Sequence, residues 1–281
     1  MLKNFLSSTK KKNSKQSNPY EKHWLWSNKI HENYMAQDIF LVAYPKSGST
    51  YLRFLIANSI KAHYQLEREV NFFSIQDIVP WITKSKLSPL GPFGETNLPR
   101  IIKSHFAFND KYRRVILLVR DPRDVLVSYY HHTKKYKLLN NDLIPEDWTL
   151  SQFIRDSEYM PKLWSEHTKS WYNCRQNLDK NIQVFRFEDF LLNAEETLHR
   201  LMYLIGINMS EESLKYAINS SSKVNMKQSE QESISTFTLK NQKTQFVRKA
   251  EMMNGKELTE SDKKYIEDET REIAQMVGYD F

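Results

Sequence analysis

Tyr44-Pro45-Lys46-Ser47-Gly48-Ser49-Thr50-Tyr51 decides how the rest of the chain is read, because it joins a strand to a helix through a short polar turn. Upstream, Ile39-Phe40-Leu41-Val42-Ala43 is an unbroken apolar run with the length of a buried parallel strand. Downstream, Leu52, Leu55, Ile56 and Ile60 recur at helical spacing. The turn therefore ends at a helix N-terminus, where the first backbone N–H groups have no carbonyl partner and add to the positive end of the helix dipole. Such a place suits an anionic oxygen. Gly48 lets the backbone approach a ligand, Ser47, Ser49 and Thr50 offer hydroxyls, and Lys46 supplies a mobile charge. In the nucleoside-triphosphate signature G-x-x-x-x-G-K-[ST] the lysine follows the last glycine. Here it precedes the glycine.

The 281-residue chain is 40% hydrophobic and 13% aromatic, a composition that builds a sizeable core and excludes a disordered or fibrous protein. No apolar run approaches the roughly 20 residues of a membrane span. Cys174 is the single cysteine, which excludes an internal disulfide framework and suits a reducing compartment, so a cytoplasmic setting is expected. The net charge of +7 is unevenly placed: residues 1–22 hold six lysines and one glutamate, leaving +2 for the remainder. These residues read as a flexible basic tail, followed by one domain over residues 23–281, and a broad nucleic-acid face is unsupported.

Further along, Pro99-Arg100-Ile101-Ile102-Lys103-Ser104-His105 reads as a short strand ending in functional groups. Arg114-Val115-Ile116-Leu117-Leu118-Val119 is the clearest buried strand, and it runs into Arg120-Asp121-Pro122-Arg123-Asp124, with Pro122 suited to a first helical turn. A helical region over residues 150–177 is interrupted at Pro161, and its Trp164, Trp171 and Tyr172 read as core. Another strand spans 181–186, and helices follow at 193–205, stopped by Gly206, at about 211–219 and at about 259–276. Alternating strands and helices predict an α/β domain with a mainly parallel sheet flanked by helices. Long loops at strand ends form specificity walls in such folds, which makes Phe72, Phe73 and Trp81 candidates to line an acceptor pocket. His131-His132 point apart on a helix and make a poor metal site.

Four segments together resemble the cytosolic-type sulfotransferases over about residues 39–255. Tyr44–Tyr51 resembles their Tyr-Pro-Lys-Ser-Gly-Thr-Thr-Trp loop; Lys103-Ser104-His105 resembles their Lys-Thr-His. Arg120–Tyr130 resembles Arg-Asn/Asp-Pro-Lys/Arg-Asp-Val-x-Val-Ser-Tyr-Tyr, and Phe246-Val247-Arg248-Lys249-Ala250 resembles the late Phe-x-Arg-Lys-Gly. The resemblance implies a P-loop-like fold and 3′-phosphoadenosine 5′-phosphosulfate as donor, with adenosine 3′,5′-bisphosphate as product and no metal. It implies a small-molecule, glycan or lipid hydroxyl as acceptor, less readily an amine, and leaves a homodimer open.

The same resemblance assigns His105 as general base, with Lys46 and Lys103 as catalytic cations. It gives Lys46, Ser47, Gly48, Ser49, Thr50 and Tyr51 to the 5′-phosphate, Arg120, Ser128, Arg248 and Lys249 to the 3′-phosphate, and Ser221 to the adenine. The chain departs from the family pattern at Phe187, Lys223 and Ala250, where tyrosine, phenylalanine and glycine are usual. Two rivals belong to other classes. A nucleotide kinase would share the fold, but the lysine–glycine order is inverted and no magnesium carboxylate is obvious. A non-catalytic nucleotide-binding protein would explain the three departures.

Overall fold

The computed structural model describes residues 24–26, 34–82, 88, 90–95, 97–137, 145, 147–156, 161–176, 181–236 and 255–281. The basic tail over 1–22 and the Phe246–Ala250 segment lie outside them.

Four strands, β1 (Ile39–Ala43), β2 (Ile101–Ser104), β3 (Arg114–Val119) and β4 (Asn181–Arg186), pair in the order β2-β1-β3-β4, every pair parallel. Parallel neighbours need crossover connections, and these carry the helices. Helix α1 (Ser49–His63) follows β1, the short α2 (Ile75–Ile78) precedes β2, and α3 (Pro122–Lys137), α4 (Leu150–Phe153) and α5 (Pro161–Tyr172) lie between β3 and β4. After β4 come α6 (Asp189–Leu192), α7 (Ala194–Ile205), α8 (Glu211–Ser220), α9 (Lys223–Thr236) and α10 (Glu260–Met276). Among the described residues no helix is long and apolar enough to cross a membrane.

All five residues of β1 are buried, and their alternation feeds two cores. Ile39, Leu41 and Ala43 pack with Leu52 and Leu55 of α1, Leu198 and Leu201 of α7 and Ala217 of α8. Phe40 and Val42 face the other way, toward Trp164 and Trp171 of α5 and Ile273 and Ala274 of α10. An apolar side chain buried this way contributes about 1.5–3 kcal/mol, so β1 is held from both sides. This is why its sequence reads as an unbroken apolar run and not as an alternating one.

The chain leaves β1 for β2 on one side and then crosses to β3 on the other, so the topological switch lies outside the carboxyl ends of β1 and β3. The expected strands are present, a helix follows the turn as expected and begins at Ser49, another begins at Pro122, and Gly206 ends α7 at φ 98. Two features differ from expectation. Pro161 opens α5 rather than interrupting it, since the first turn needs no N–H from proline. Helix α9 carried no periodic signal: within Lys223–Gln231 only Met226 and Glu230 are buried.

A buried ion pair anchors the sheet's other end. Arg100 Nε and Nη2 donate to Asp38 Oδ1 and Oδ2 at 2.9 and 2.6 Å, Nη1 donates to the Ser88 carbonyl at 2.9 Å, and Ile39 N donates to Arg100 O at 2.8 Å. Removing one partner strands a buried charge, which costs more than the pair contributes. Arg100→Met is expected to lower the unfolding free energy by about 3–5 kcal/mol in urea titration. A loss below about 1 kcal/mol would show that water reaches Asp38 there.

Candidate active site

Because every strand is parallel, all four carboxyl ends lie on one rim of the sheet, and each delivers one part of the site. β1 delivers the Tyr44–Gly48 turn, β2 His105, β3 Arg120 and β4 Phe187.

In the turn, Lys46 and Gly48 both take left-handed backbone, with φ of 71 and 93. For lysine this conformation costs on the order of 1 kcal/mol. Gly48 is also required by space: a Cβ there would lie 2.3 Å from the Phe187 ring. Gly48 is the N-cap of α1, which has neither a capping side chain nor an acid in its first turn. By contrast α8 and α10 are capped by the hydroxyls of Ser210 and Thr259. The Ser47 hydroxyl is fully buried and has no hydrogen-bond partner among the described residues. A bare helix start, an orphaned hydroxyl and a backbone cradle together fit an anionic phosphate. Ser49 is buried against this turn, while Thr50 and Tyr51 are half-buried, the Tyr51 ring meeting Phe187 edge-on at 6.0 Å.

Arg120 is buried behind the turn. Its guanidinium lies 4.6 Å above the Phe187 ring, Nη1 donates to the Lys46 carbonyl at 3.4 Å, and Nη2 is 3.5 Å from Asp124. Phe187 is therefore a platform that the turn and the arginine share, a role open to an aromatic ring without the phenol. Glu188, the next residue, accepts from Asp121 N at 3.1 Å and from the Tyr279 hydroxyl at 2.6 Å, which pins the β3–α3 turn to the C-terminal segment.

His105 follows β2 in the register that sets Val42 opposite Ser104, so its ring reaches the end of β1. Nδ1 lies 2.6 Å from the Ala43 carbonyl oxygen, which only accepts, so Nδ1 carries the proton and Nε2 keeps its lone pair. Burial first, then the charge of Lys103, hold the His105 pKa well below 6.5, while the Ala43 bond pulls it upward. The ring is therefore neutral at neutral pH.

Lys103 has its ammonium 4.9 Å over the Trp81 ring, and among the described residues no carboxylate pairs with it. Burial, with Arg53 and Lys46 adding repulsion, lowers its pKa to about 7. Trp81 and Trp24, 39% and 40% exposed, stand edge-on to His105 at 5.9 and 6.5 Å. Of the three aromatics proposed for an acceptor wall, Trp81 is beside His105, whereas Phe72 packs on Phe54 at 4.9 Å and Phe73 is exposed.

Ser128 is half-buried in the second turn of α3. Ser221 caps α8 in full burial, and its hydroxyl accepts from Asn58 Nδ2 at 3.0 Å, joining α8 to α1. Arg248 and Lys249 lie outside the described residues. Sequence reading passed over Arg53, although a charge inside the apolar run Leu52-Arg53-Phe54-Leu55-Ile56 was a usable signal. It also passed over His167, which shares a face of α5 with Trp164 and Trp171. His167 is fully buried edge-on to Tyr44 at 5.6 Å, and burial lowers its pKa to about 4. Among the described residues no group of three or more His, Cys, Asp or Glu side chains is placed to hold a metal ion.

Comparison with known proteins gives a match to the sulfotransferase domain family over residues 36–278. Sulfotransferase 1E1 of Bos taurus is 28% identical over 230 residues, which is 76% of this chain and 75% of the relative. Sulfotransferase 2A1 of Homo sapiens is 25% identical over 214 residues, 72% and 71% of the two chains. Among solved structures, retinol dehydratase in complex with androsterone and inactive cofactor PAP matches with TM-score 0.66 and 17% identity, covering 88% of this chain and 83% of the other. Mouse sulfotransferase SULT7A1 complexed with PAP matches with TM-score 0.59 and 18% identity, covering 86% and 85%.

The low Lys103 pKa has a signed consequence. An anion docked beside Lys103 favours its ammonium form, so the pKa rises in the complex. Above pH 7, docking of such an anion, with adenosine 3′,5′-bisphosphate as the probe, then takes up a proton, and affinity falls as pH rises, by at most about tenfold per pH unit. Calorimetry at about pH 8 in buffers of different ionisation enthalpy should show uptake approaching one proton, abolished in Lys103→Met. Zero uptake by the parent protein would mean that Lys103 does not face the anion.

Proposed function

The chain belongs to the sulfotransferase domain family and is a sulfotransferase enzyme, and from that premise we propose how its residues divide the work. It moves a sulfuryl group from 3′-phosphoadenosine 5′-phosphosulfate to the hydroxyl of a small-molecule, glycan or lipid acceptor, with His105 as base. The observation that carries this reading is the Nδ1–Ala43 hydrogen bond, which leaves Nε2 as a neutral acceptor site on the rim shared with the phosphate turn. Family membership counts against the kinase reading; detectable sulfate transfer to any acceptor would remove the non-catalytic one.

In this reading the amides of residues 47–51, the Ser47 hydroxyl and Lys46 hold the 5′-phosphate. Arg120 and Ser128 take the 3′-phosphate, joined by Arg248 and Lys249 on the strength of their sequence pattern. Arginine suits this task because its planar fork makes two charge-assisted hydrogen bonds to a phosphate. Ser221 is assigned to the adenine by the same pattern, although its hydroxyl already serves Asn58. The donor supplies an activated sulfuryl group.

His105 Nε2 accepts the proton of the acceptor hydroxyl. A depressed pKa weakens the base but keeps it unprotonated, and the Ala43 carbonyl stabilises the imidazolium once it forms. Lys46 and Lys103 place positive charge where negative charge develops, preorganised in a partly dry site. An amine acceptor is less suited, because near neutral pH it is itself protonated and must lose a proton before it can attack. Trp24 and Trp81 beside His105 support an acceptor with an apolar body.

His105→Ala is expected to lower turnover by about 10²–10⁴ while affinity for adenosine 3′,5′-bisphosphate changes less than about twofold. The assay is transfer from labelled donor to a panel of alcohols, sugars, phenols, lipids and amines, with calorimetry for binding. A folded His105→Ala protein that transfers at close to the parent rate would place the base elsewhere.

A further inference from the structure

Arg53 lies one turn into α1, is 3% exposed, and has no carboxylate partner among the described residues. Its guanidinium instead donates from Nε to the Val79 carbonyl at 2.8 Å, and from Nη2 to the Ile75 carbonyl at 2.8 Å and Gln76 Oε1 at 3.1 Å. A buried charge held only by neutral acceptors is costly, and burial here lowers the pKa of Arg53 to about 10. What that charge holds is therefore informative.

The carbonyls that Arg53 grips sit at either end of α2, directly before Pro80-Trp81-Ile82. That tripeptide adds one residue of parallel pairing to the open edge of β2: Lys103 N donates to Pro80 O at 2.7 Å and Ile82 N to Lys103 O at 2.8 Å. Two backbone bonds are a weak hold for an edge segment. Yet this segment sets Trp81 over Lys103 and edge-on to His105. The helix that carries Arg53 also carries the phosphate turn at its N-terminus. One helix thus touches both halves of the site.

We propose that Arg53 is a positioning residue for the acceptor side of the reaction: by gripping the Ile75 and Val79 carbonyls from α1, it holds Pro80–Ile82 against β2 and keeps Trp81 beside Lys103 and His105. The inference rests on the sulfotransferase reading for the meaning of that side of the site. Its mechanical part stands independently of catalysis.

The test combines kinetics, binding and hydrogen exchange on Arg53→Met, Arg53→Lys, Trp81→Ala and the Arg53→Met/Trp81→Ala double variant. Arg53→Met should raise the acceptor KM about tenfold while affinity for adenosine 3′,5′-bisphosphate stays within about twofold. In the Trp81→Ala background the same change should add less than about twofold, because the residue acted through Trp81. Arg53→Lys, which keeps the charge and loses the fork, should fall between; it carries the measurement if Arg53→Met does not fold. The amides of Lys103 and Ile82 should exchange at least about tenfold faster in either variant, a readout that needs no acceptor. Unchanged exchange, additive effects on KM, or a loss of donor affinity matching the loss on the acceptor side would each overturn the role of Arg53. A parent protein that exchanges as expected but binds no adenosine bisphosphate and transfers no sulfate would overturn the functional reading instead.

Discussion

Strand β1 is paired on both edges and buried on both faces, and this constraint shapes everything at its carboxyl end. The strand can neither slide nor tilt without exposing one of two cores, so the position of the Ala43 carbonyl and of the turn after it is set by packing. Register then carries that precision sideways. With Val42 opposite Ser104 and Ala43 opposite Leu118, His105 and Arg120 come to the same rim, the first within hydrogen-bond reach of Ala43 and the second within reach of Lys46. Phe187 closes the group by lying against Gly48 and beneath Arg120.

On the side of Lys103 the rim is cationic. Arg53 is buried and Lys103 half-buried without a carboxylate among the described residues; burial first, with repulsion from Arg53 and Lys46 added, lowers the pKa of Lys103 to about 7, and burial followed by the charge of Lys103 helps keep His105 neutral. Such an arrangement costs stability in the free protein and is offset when a polyanion arrives, the usual trade at a preorganised site. Strain follows the same pattern, since Lys46 holds left-handed backbone at the centre of the turn.

The sequence made the frame legible where a local rule had no competitor. Ile39–Ala43 and Arg114–Val119 are too short and too apolar to be anything but buried strands, Pro122 marks a helix start, and Gly206 marks an end. His105 and Arg120 stood out because each ends a strand inside a segment that resembles the sulfotransferase pattern. What stayed hidden depends on partners distant in the chain: the tautomer of His105 is set by Ala43, the need for glycine at 48 by Phe187, and the task of Arg53 by carbonyls 22 and 26 residues away. Ser221 shows the converse, a residue picked for its motif whose hydroxyl the fold uses to tie α8 to α1. Helix α9 escaped because its two buried positions within 223–231, Met226 and Glu230, share a face but include a charged residue, so no apolar stripe marks it.

Everything on the acceptor side depends on His105 being a neutral imidazole with its proton on Nδ1 and the lone pair on Nε2. Nitrogen NMR of histidine-labelled protein, with the His105 signals identified by their loss in His105→Ala, observes this directly. The expected spectrum is that of the Nδ1–H tautomer, with no titration of this ring between about pH 6 and 8, well above its depressed pKa. An Nε2–H tautomer, or a ring that charges with a midpoint near the ordinary value of about 6.5, would contradict it.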